Sequence, residues 1–457
     1  KTEPEKRIKD FQEIYSQFDK NDSVEQSSRC SQCGIPYCQI HCPLNNNIPD
    51  WLRYIAEGRL EEAYQVSAST NAFPEVCGRV CPQDRLCEGN CVVEQAGFGA
   101  ITIGNLEKYL TEIAWEKGWV KNLSSQNQFK QKVAIIGSGP AGMAASAYLT
   151  QNGYQVDVFE KNDRAGGLMI YGIPNFKLDK KIVERRTEWL LESGVKFNLN
   201  MEVGKNISFQ DLEKDYDAIL IATGVYKARK LDIDTSSVDN SIPALDFLIE
   251  SNRTGLGDSP SNNKFLTAKD KNVVVIGGGD TAMDCVRTAI RQQAKEVTCL
   301  YRRNKENMPG SAREVLNAEQ EGIKFNWLSV PSKIISDNST ATSMTYKVAA
   351  LGEVDESGRR KPVDTGVEKQ IKSDLIIQAL GFEPEDLNHN FKTNIELTSW
   401  KTVKVDFKKF QTSNPKIFAA GDIVRGASLV VWAIHDGREV AKSIHNFLQS
   451  SKIKKAS

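Results

Sequence analysis

The stretch from Lys132 to Gly142, K-V-A-I-I-G-S-G-P-A-G, constrains the fold of this chain more than any other. It predicts a buried strand, a turn and then a helix, and its three glycines have the G-x-G-x-x-G spacing. In such a turn Gly137 permits the tight bend, Gly139 lets the backbone approach a pyrophosphate, and Gly142 lets the helix pack close to the strand. The free N–H groups at the start of the helix would then face the phosphates.

The residues after this turn complete the pattern of a dinucleotide site. A second predicted strand, Tyr154 to Phe159, ends at Glu160, about 20 residues further on, where a carboxylate can accept hydrogen bonds from both ribose hydroxyls. The stretch D-R-A-G-G-L brings another glycine pair, and the predicted strand in D-A-I-L-I-A-T-G ends at Gly224. We therefore favour a dinucleotide site over an ordinary strand–turn–helix.

The same pattern recurs in the second half of the chain. Lys271 to Asp280, K-N-V-V-V-I-G-G-G-D, is again a strand that runs into a glycine turn, and Ala282 takes the third glycine's place. Its partner strand ends in Arg302 and Arg303 instead of an acid. Guanidinium groups at this point suit the 2′-phosphate of NADPH better than the free ribose of NADH, although both could be solvated surface charges. Two copies predict two parallel sheets flanked by helices.

Ten cysteines are present, and eight of them lie between residues 30 and 91 in two groups. The first group has the spacing C-x2-C-x4-C-x3-C-P and the second C-x3-C-x5-C-x3-C. Ferredoxin-type iron–sulfur ligation fits this best, because only one C-x2-C pair is present and zinc sites usually need two. Zinc and structural thiols are the alternatives. The groups are Cys30, Cys33, Cys38 and Cys42, then Cys77, Cys81, Cys87 and Cys91.

Composition and the remaining motifs narrow the function further. Lys+Arg and Asp+Glu both number 59, which argues against a broad nucleic-acid or membrane-binding surface. No apolar run approaches the ~20 residues of a membrane span, and the first residues lack the apolar core of a secretory signal. The four histidines form no triad or metal pair by spacing, so no catalytic acid or base is assigned. Apolar residues between Ile8 and Phe18 have helical spacing, which predicts an amphipathic helix.

Near the C-terminus, N-P-K-I-F-A-A-G-D-I predicts a strand that ends at Gly421 and Asp422. A carboxylate there can accept hydrogen bonds from the ribityl chain of a flavin, and the helix N-terminus near Trp432 could face the flavin ring. This strand should return to the first dinucleotide domain, which makes that domain discontinuous. The later domains contain no C-x-x-C, which argues against a dithiol mechanism, and Cys285 and Cys299 are predicted core thiols.

Together these stretches resemble the small (β) subunit of bacterial NADPH-dependent glutamate synthases over nearly the whole chain. The resemblance is carried by the two cysteine groups and by several specific motifs: C-P-Q-D-R-L-C-E-G-N-C (81–91), A-I-T-I-G-N-L-E-K-Y (100–109), Y-G-I-P-N-F-K-L (171–178), G-G-G-D-T-A-M-D-C-V-R-T-A (277–289), N-M-P-G-S (307–311) and A-A-G-D-I-V-R-G-A-S-L-V-V-W-A-I (419–434). The N-terminal part of dihydropyrimidine dehydrogenase shares the layout.

The resemblance implies FAD at the first site, NADPH at the second and two [4Fe–4S] clusters. One cluster would take Cys30, Cys33, Cys38 and Cys91, and the other Cys42, Cys81, Cys87 and Glu107, with Cys77 as a bystander. Glu107 rests on the resemblance alone, since by itself it reads as a solvated charge. The implied FAD residues are Gly137, Gly139, Pro140, Ala141, Gly142, Glu160, Gly167, Leu168, Gly224, Gly421, Asp422, Trp432 and Ala433. The implied NADPH residues are Gly277, Gly278, Gly279, Asp280, Thr281, Ala282, Arg302 and Arg303.

The expected architecture is an N-terminal α-helical iron–sulfur domain followed by two α/β Rossmann-like dinucleotide-binding domains. Its expected parts are 1–125 for iron–sulfur, 126–254 and 405–457 for FAD, and 255–404 for the inserted NADPH domain. The expected function is that of a cytoplasmic electron-input subunit. Its partner would be a large (α) subunit with a glutaminase, FMN and an iron–sulfur cluster, which makes L-glutamate from L-glutamine and 2-oxoglutarate. The alternative is an input subunit of another reductase, such as a bacterial dihydropyrimidine dehydrogenase.

Overall fold

The computed structural model describes residues 1–354, 358 and 360–456. Two short 3₁₀ helices cover Lys264–Leu266 and Lys305–Asn307. The α-helices are α1 Pro4–Arg7, α2 Lys20–Ser28, α3 Tyr37–Ile40, α4 Ile48–Ala56, α5 Leu60–Ala68, α6 Pro74–Val80, α7 Val92–Gln95, α8 Ile103–Glu116, α9 Pro140–Gln151, α10 Leu168–Tyr171, α11 Lys180–Glu192, α12 Phe209–Asp215, α13 Ala244–Gly255, α14 Asp280–Arg291, α15 Ala312–Gln320, α16 Leu387–Phe391, α17 Asp422–Arg425 and α18 Val430–Ala456.

Within the described residues, the strands form two parallel sheets, one antiparallel sheet and one short two-stranded pair. They are β1 Lys132–Ile136, β2 Gln155–Phe159, β3 Lys196–Asn198, β4 Ala218–Ile221, β5 Lys227–Ala228, β6 Ser241–Pro243, β7 Asn272–Ile276, β8 Glu296–Leu300, β9 Lys324–Asn326, β10 Ser329–Asp337, β11 Thr340–Val354, β12 Arg360–Lys372, β13 Leu375–Gln378, β14 Phe382–Glu383 and β15 Ile417–Ala419.

The chain divides into two compact units. The main unit contains Tyr15–Ile170, Leu178–Lys227 and Glu383–Ser457, and the insert unit contains Lys1–Ile14, Tyr171–Lys177 and Ala228–Phe382. The main unit contains both the cysteine-rich segment and the first parallel sheet, so this division into two units does not separate the expected iron–sulfur and FAD parts. The four parts expected from the sequence stay a prediction. The expected boundary at 254/255 falls inside α13, and β6 before it already pairs in the second parallel sheet.

The main unit is built on a five-stranded sheet in the order β15-β4-β1-β2-β3, and the pairs along it are parallel. Val133 to Ile136 of β1 are buried, which is typical of a central strand covered on both faces. In register, Val133 lies opposite Val156 of β2 and Ala218 of β4. The C-terminal strand β15 completes this sheet at its edge, so distant parts of the sequence share one core.

The insert unit contains the second parallel sheet, in the order β6-β13-β7-β8-β9. Its core combines Val273 and Val275 of β7 with Met283 and Val286 of α14, all essentially buried. Strands β10, β11 and β12 form an antiparallel sheet next in sequence, with the register broken at Pro331/Lys333 and at Val348/Ala349.

The cysteine-rich segment of the main unit is helical. Trp51 and Ile55 of α4 pack with Leu106 and Leu110 of α8, and all four are fully buried. The indole N–H of Trp51 donates to Oδ1 of Asn46 at 2.8 Å, which satisfies its polar atom in the core. The amphipathic helix predicted over residues 8–18 is wrong, because α1 ends at Arg7 and α2 begins only at Lys20.

Candidate functional site

The first glycine turn joins β1 to α9 in the main unit. Gly137 has φ +103°, and a Cβ there would overlap the carbonyl of Ala222. A Cβ on Gly142 would overlap the carbonyl oxygen of Gly137, whereas a Cβ on Gly139 would point into open space. The outer glycines are therefore required by the protein's own packing, and the middle one leaves room for a ligand.

Glu160 is held over this turn by donors from both sides. Its Oε2 accepts from the backbone N–H (3.1 Å) and hydroxyl (2.6 Å) of Ser138, and its Oε1 accepts from the N–H and side-chain amide of Asn162 at 2.9 and 2.7 Å. The side chain is buried. These four donors fill the roughly four acceptor sites of a carboxylate, so a ribose hydroxyl would bind Glu160 by replacing one of the Ser138 or Asn162 donors.

Further residues implied for FAD gather around the first turn of α9. A Cβ on Gly167 would come within 2.8 Å of Cα of Gly139, and one on Gly421 within 2.9 Å of Cβ of Ala141. A Cβ there would also lie 3.9 Å from Cβ of Ala433. The structure thus brings four separate stretches of sequence to one place, and backbone lines it because side chains would not fit. This cradle suits a dinucleotide that lies along the turn.

A polar cluster that the sequence did not reveal fixes the start of α18. Arg425 donates to both carboxylate oxygens of Asp436 (2.5 and 2.7 Å) and stacks over the Trp432 ring at 4.6 Å. His435 lies 3.0 Å from the same carboxylate. Burial raises the pKa of Asp436, but bonds from His435 and Arg425 outweigh it and hold the pKa below its usual value. Arg425 and Asp436 are 11 residues apart, so no short-range spacing in the sequence signals this cluster.

Asp422, predicted to meet the ribityl chain, accepts a hydrogen bond from the hydroxyl of Ser428 at 2.7 Å. Burial raises the pKa of this carboxyl, and the Ser428 bonds oppose the rise. Gly224 lies in the segment that follows β4 and has φ +70°, a conformation that favours glycine.

The second glycine turn repeats this geometry in the insert unit. Gly277 has φ +147°, and a Cβ there would overlap the carbonyl of Ala379. Gly279 again faces open space. Gly278 has no room for a side chain, because a Cβ there would overlap the ring of Tyr301. Asp280 accepts from the N–H of Ser311 at 2.8 Å, which holds the 307–311 stretch beside the turn.

The two neighbouring arginines after β8 have different surroundings. Arg302 is exposed, whereas Arg303 is buried and its Nε donates to the carbonyl oxygen of Arg360 at 2.7 Å. Thr281 and Ala282 lie in the first turn of α14, where Ala282 is buried.

The cysteines line two cavities of the main unit. The first cavity is lined by Cys30, Cys33, Cys38 and Cys91, by Ser31, and by apolar residues that include Tyr37 and Val92. The lining of the second includes Cys42, Cys77, Cys81, Cys87 and Glu107. Each cavity therefore contains one of the two ligand sets that the resemblance implies, and the second contains Cys77 as well.

The chemistry of these donors fits a cationic iron–sulfur group. Burial raises the pKa of Cys38 to about 12 and that of Cys42 to about 11. Burial also raises the pKa of Glu107 to about 8, although the Asn71 amide, 3.3 Å away, partly opposes it. Thiolates and a carboxylate in such a place need positive charge beside them. Among the described residues, no three His, Cys, Asp or Glu side chains are positioned to hold one ion.

Two family models match the chain. Residues 7–119 match "Dihydropyrimidine dehydrogenase domain II, 4Fe-4S cluster", and residues 131–437 match "Pyridine nucleotide-disulphide oxidoreductase". Fold and site thus define an iron–sulfur oxidoreductase of the pyridine-nucleotide type.

Among solved structures, Mycobacterium tuberculosis FprA in complex with NADPH has a TM-score of 0.59 at 19% identity (71% of this chain, 86% of that one). Lactococcus lactis thioredoxin reductase has 0.53 at 24% (70% and 100%). These likenesses concern the fold.

Full-length relatives narrow the class. The glutamate synthase [NADPH] small chain of Azospirillum brasilense is 52% identical over 97% of this chain and 93% of its own length. That of Escherichia coli strain K12 is 45% identical over 98% and 96%. The chain belongs to the family of glutamate synthase [NADPH] small chains. The family resemblance, the fold class and the class of enzyme predicted from the sequence are confirmed.

Within the described residues, no helix has the length and apolar character needed to cross a membrane.

Proposed function

We propose that this chain is the electron-input subunit of a glutamate synthase. In this proposal it oxidises NADPH at FAD and passes electrons through two [4Fe–4S] clusters to a large subunit. That large subunit carries a glutaminase, FMN and an iron–sulfur cluster, and it makes L-glutamate from L-glutamine and 2-oxoglutarate in the cytoplasm. The observation that carries the proposal is the pair of cysteine-lined cavities in the same unit as the FAD-type glycine turn.

Bound flavin accepts a hydride from a nicotinamide and releases single electrons, which iron–sulfur clusters can carry. The chain's own residues would bind and orient these groups. Glu160 and Asp422 would accept hydrogen bonds from the ribose and the ribityl chain, and the free N–H groups at the start of α9 would face the pyrophosphate. The Arg425–Asp436 pair would hold the first turn of α18 and the Trp432 ring in place.

The cysteines and Glu107 would hold the clusters in the sets given above. Cys77 lies in the second cavity, and its hydrogen bond to Cys81, more than burial, raises the pKa of Cys81 well above its usual value. That hydrogen bond favours the protonated form of Cys81 and does not identify the bystander, so Cys77 in that role rests on the resemblance. Within the part of the chain that the structure describes, no Lys or Arg pairs with the buried Glu107 carboxyl, which supports it as the fourth ligand.

The test is reduction of an artificial electron-accepting dye by NADPH with the anaerobically purified chain, alongside iron, sulfide and flavin analysis. We expect turnover without glutamine or 2-oxoglutarate. A chain that contains FAD and iron but does not reduce the dye would contradict the proposal, and zinc in place of iron would contradict the cluster assignment.

Cofactor choice is tested at the two arginines. Because Arg302 is exposed at the end of β8, R302A should lower the NADPH-to-NADH ratio of kcat/KM by about tenfold or more, as expected for a lost charge-assisted contact. Arg303 is the matched control: its buried bond to the backbone of Arg360 predicts that R303A lowers stability more than selectivity. A wild-type ratio near one would overturn the NADPH assignment.

A second candidate is an input subunit of another reductase. It is favoured by the family model for residues 7–119 and by an Escherichia coli oxidoreductase, AegA, which is 41% identical over 98% of this chain and 69% of its own length. Co-purification decides between the two, because only a glutamate synthase requires a large partner with a glutaminase.

A further inference from the structure

The N-M-P-G-S stretch (307–311) lies directly on the second glycine turn, in the insert unit. The N–H of Gly310 donates to the carbonyl oxygen of Gly278 at 2.9 Å, and the N–H of Ser311 donates to Oδ1 of Asp280 at 2.8 Å. A Cβ on Gly310 would lie 3.2 Å from the same carbonyl oxygen of Gly278. The stretch is therefore seated backbone to backbone on the turn, with little room for a side chain between them.

The segment that leads from β8 to this stretch is also anchored. The hydroxyl of Tyr301 donates to the carbonyl oxygen of Asn307 at 2.8 Å, and the side-chain amide of Asn307 donates to Oδ1 of Asn304 at 2.6 Å. Tyr301 is buried, and its ring lies against Gly278. We call residues 304–311 the clip segment. It runs from the end of β8 to the start of α15 and is fixed near both of its ends.

The first glycine turn has a counterpart of the clip segment. There the N–H of Gly166 donates to the carbonyl oxygen of Ser138 at 3.1 Å, and Ser138 follows the first glycine of its turn as Gly278 follows that of the second. Gly166 belongs to the glycine pair that closes on the first turn. Each of the two segments comes after the second strand of its sheet motif, β2 or β8. The clip segment therefore takes the matching place at the second turn, although the two sequences differ.

The two turns differ at the first residue of the helix that follows. It is Pro140 in α9 and Asp280 in α14. A carboxylate at a helix N-terminus is favoured by the helix dipole, but it repels the phosphates that such a turn binds. A charge that repels the ligand is useful here only through another contact, and the bond from the N–H of Ser311 is such a contact.

We propose that Asp280 is a positioning residue that holds the clip segment on the second glycine turn, where the clip segment forms a wall for the pyrophosphate of NADPH. This rests on the proposed function, in which NADPH binds at this turn. Asp280 then acts through the N–H of Ser311 and not as a ligand of the dinucleotide. Because NADPH and NADH share the pyrophosphate, loss of the clip segment should weaken both equally, in contrast to the loss of Arg302.

The experiment measures the Kd of NADP+ and of NAD+ for the holoprotein by isothermal titration calorimetry. D280A removes the acceptor of the Ser311 N–H, whereas D280N removes the charge and keeps an oxygen acceptor. D246A is the matched control, because Asp246 is an exposed acid in the first turn of another helix of the insert unit, α13.

We expect D280A to raise both Kd values by the same factor, about tenfold or more, because the wall for the shared pyrophosphate is lost. D280N should stay within about threefold of the wild type, since it keeps the acceptor and loses the repulsion, and D246A within about twofold.

Two further measurements separate a positioning role from a general loss of structure. Hydrogen exchange at the Gly310 and Ser311 amides should become faster in D280A, but not in D280N or D246A, without any dinucleotide present. Dye reduction by D280A should show a raised KM for NADPH with kcat within about twofold of the wild type, because the lost contact binds the ground state and the transition state alike.

Four results would overturn the proposal: D280A with Kd values within about twofold of the wild type, D280N as impaired as D280A, a changed ratio of the NADP+ and NAD+ Kd values, or unchanged exchange at the Ser311 amide in D280A. A wild type that binds neither dinucleotide would overturn the proposed function together with this proposal. A wild type that binds NADP+ and reduces the dye leaves the proposed function intact, so that failure of the clip segment alone is distinguishable.

Discussion

At the scale of single residues, the surroundings of a side chain decide what its type can do. Glu107 follows a glycine-containing helix start and reads in the sequence as an ordinary helical acid. In the structure it lines the second cavity, and burial raises its pKa to about 8. An acid in such a place is either neutral or next to a cation, and in the proposed function that cation is the iron of the second cluster.

Replacing Glu107 should therefore alter one cluster only. We expect E107A to lower iron per chain by about one atom or more, because one ligand of the second cavity is lost, and C77S to keep the wild-type iron content. Iron and sulfide analysis with electron paramagnetic resonance of the reduced protein measures both. Loss of iron in C77S with none in E107A would reverse the roles of the two residues.

At the scale of elements, both strand–turn–helix units use their glycines in two ways. Gly137 and Gly142 are confined by backbone atoms of the protein, and Gly139 faces open space. The corresponding open position of the insert unit is Gly279. Alanine substitution at these positions therefore separates the folding role of the motif from its ligand-binding role.

We expect G142A to lower the melting temperature of the protein even without flavin, because the added methyl overlaps the carbonyl oxygen of Gly137 and α9 must move away from β1. G139A should change the free energy of unfolding of the flavin-free protein by no more than about 0.5 kcal/mol, as ordinary surface substitutions do, and so leave its melting temperature nearly unchanged. It should weaken FAD binding. Thermal melts of flavin-free protein and FAD titrations measure the two effects. Equal loss of stability in both variants would contradict this division.

At the scale of the whole molecule, the chain has equal numbers of acidic and basic residues, and several of them form a network of ion pairs inside the insert unit. Glu321 is buried and pairs with Arg7 at 2.8 Å, Arg287 at 2.9 Å and Arg291 at 2.7 Å. Glu314 pairs with Arg287 at 2.6 Å and lies 3.6 Å from Lys177. These partners come from three separate parts of the sequence, so the network ties residues 1–14 and 171–177 to the rest of the insert unit.

This network predicts acid sensitivity of the insert unit. Burial by itself would raise the pKa of Glu314, but the positive charges of Lys177 and Arg287 outweigh burial and lower that pKa to about 2. A carboxyl whose pKa is depressed on folding contributes stability above its unfolded pKa, about 4.5, and loses it as pH falls towards about 2. We expect calorimetry to show that E314Q destabilises the protein by about 3–5 kcal/mol at pH 7 and shows less further loss below about pH 4.5 than the wild type.

The matched control lies on the same helix. Glu319 pairs with Lys305 at 2.7 Å near the surface, so E319Q should cost less than about 1 kcal/mol and keep the wild-type pH profile. An E314Q profile parallel to that of the wild type would show that this carboxyl does not carry the acid sensitivity.

The sequence by itself determined what depends on short-range spacing. Each glycine turn with its two strands, β1 and β2 or β7 and β8, lies within about 30 consecutive residues, and the first cysteine group occupies only residues 30–42. A tight turn, a close helix and a ladder of thiols each need fixed residue types at fixed short distances, and for that reason the pattern can be read directly. The family and the fold class followed from these motifs and are confirmed.

Only the tertiary structure decided which distant residues share a place. It buried Arg303 and left Arg302 exposed, replaced the predicted helix over 8–18 with an irregular segment, and assembled the Glu314 and Glu321 network. The cysteine and Glu107 sets that line the two cavities had been implied by the family resemblance and not by local spacing. Burial and charge pairing depend on chain segments that meet after folding, and no local spacing encodes such meetings.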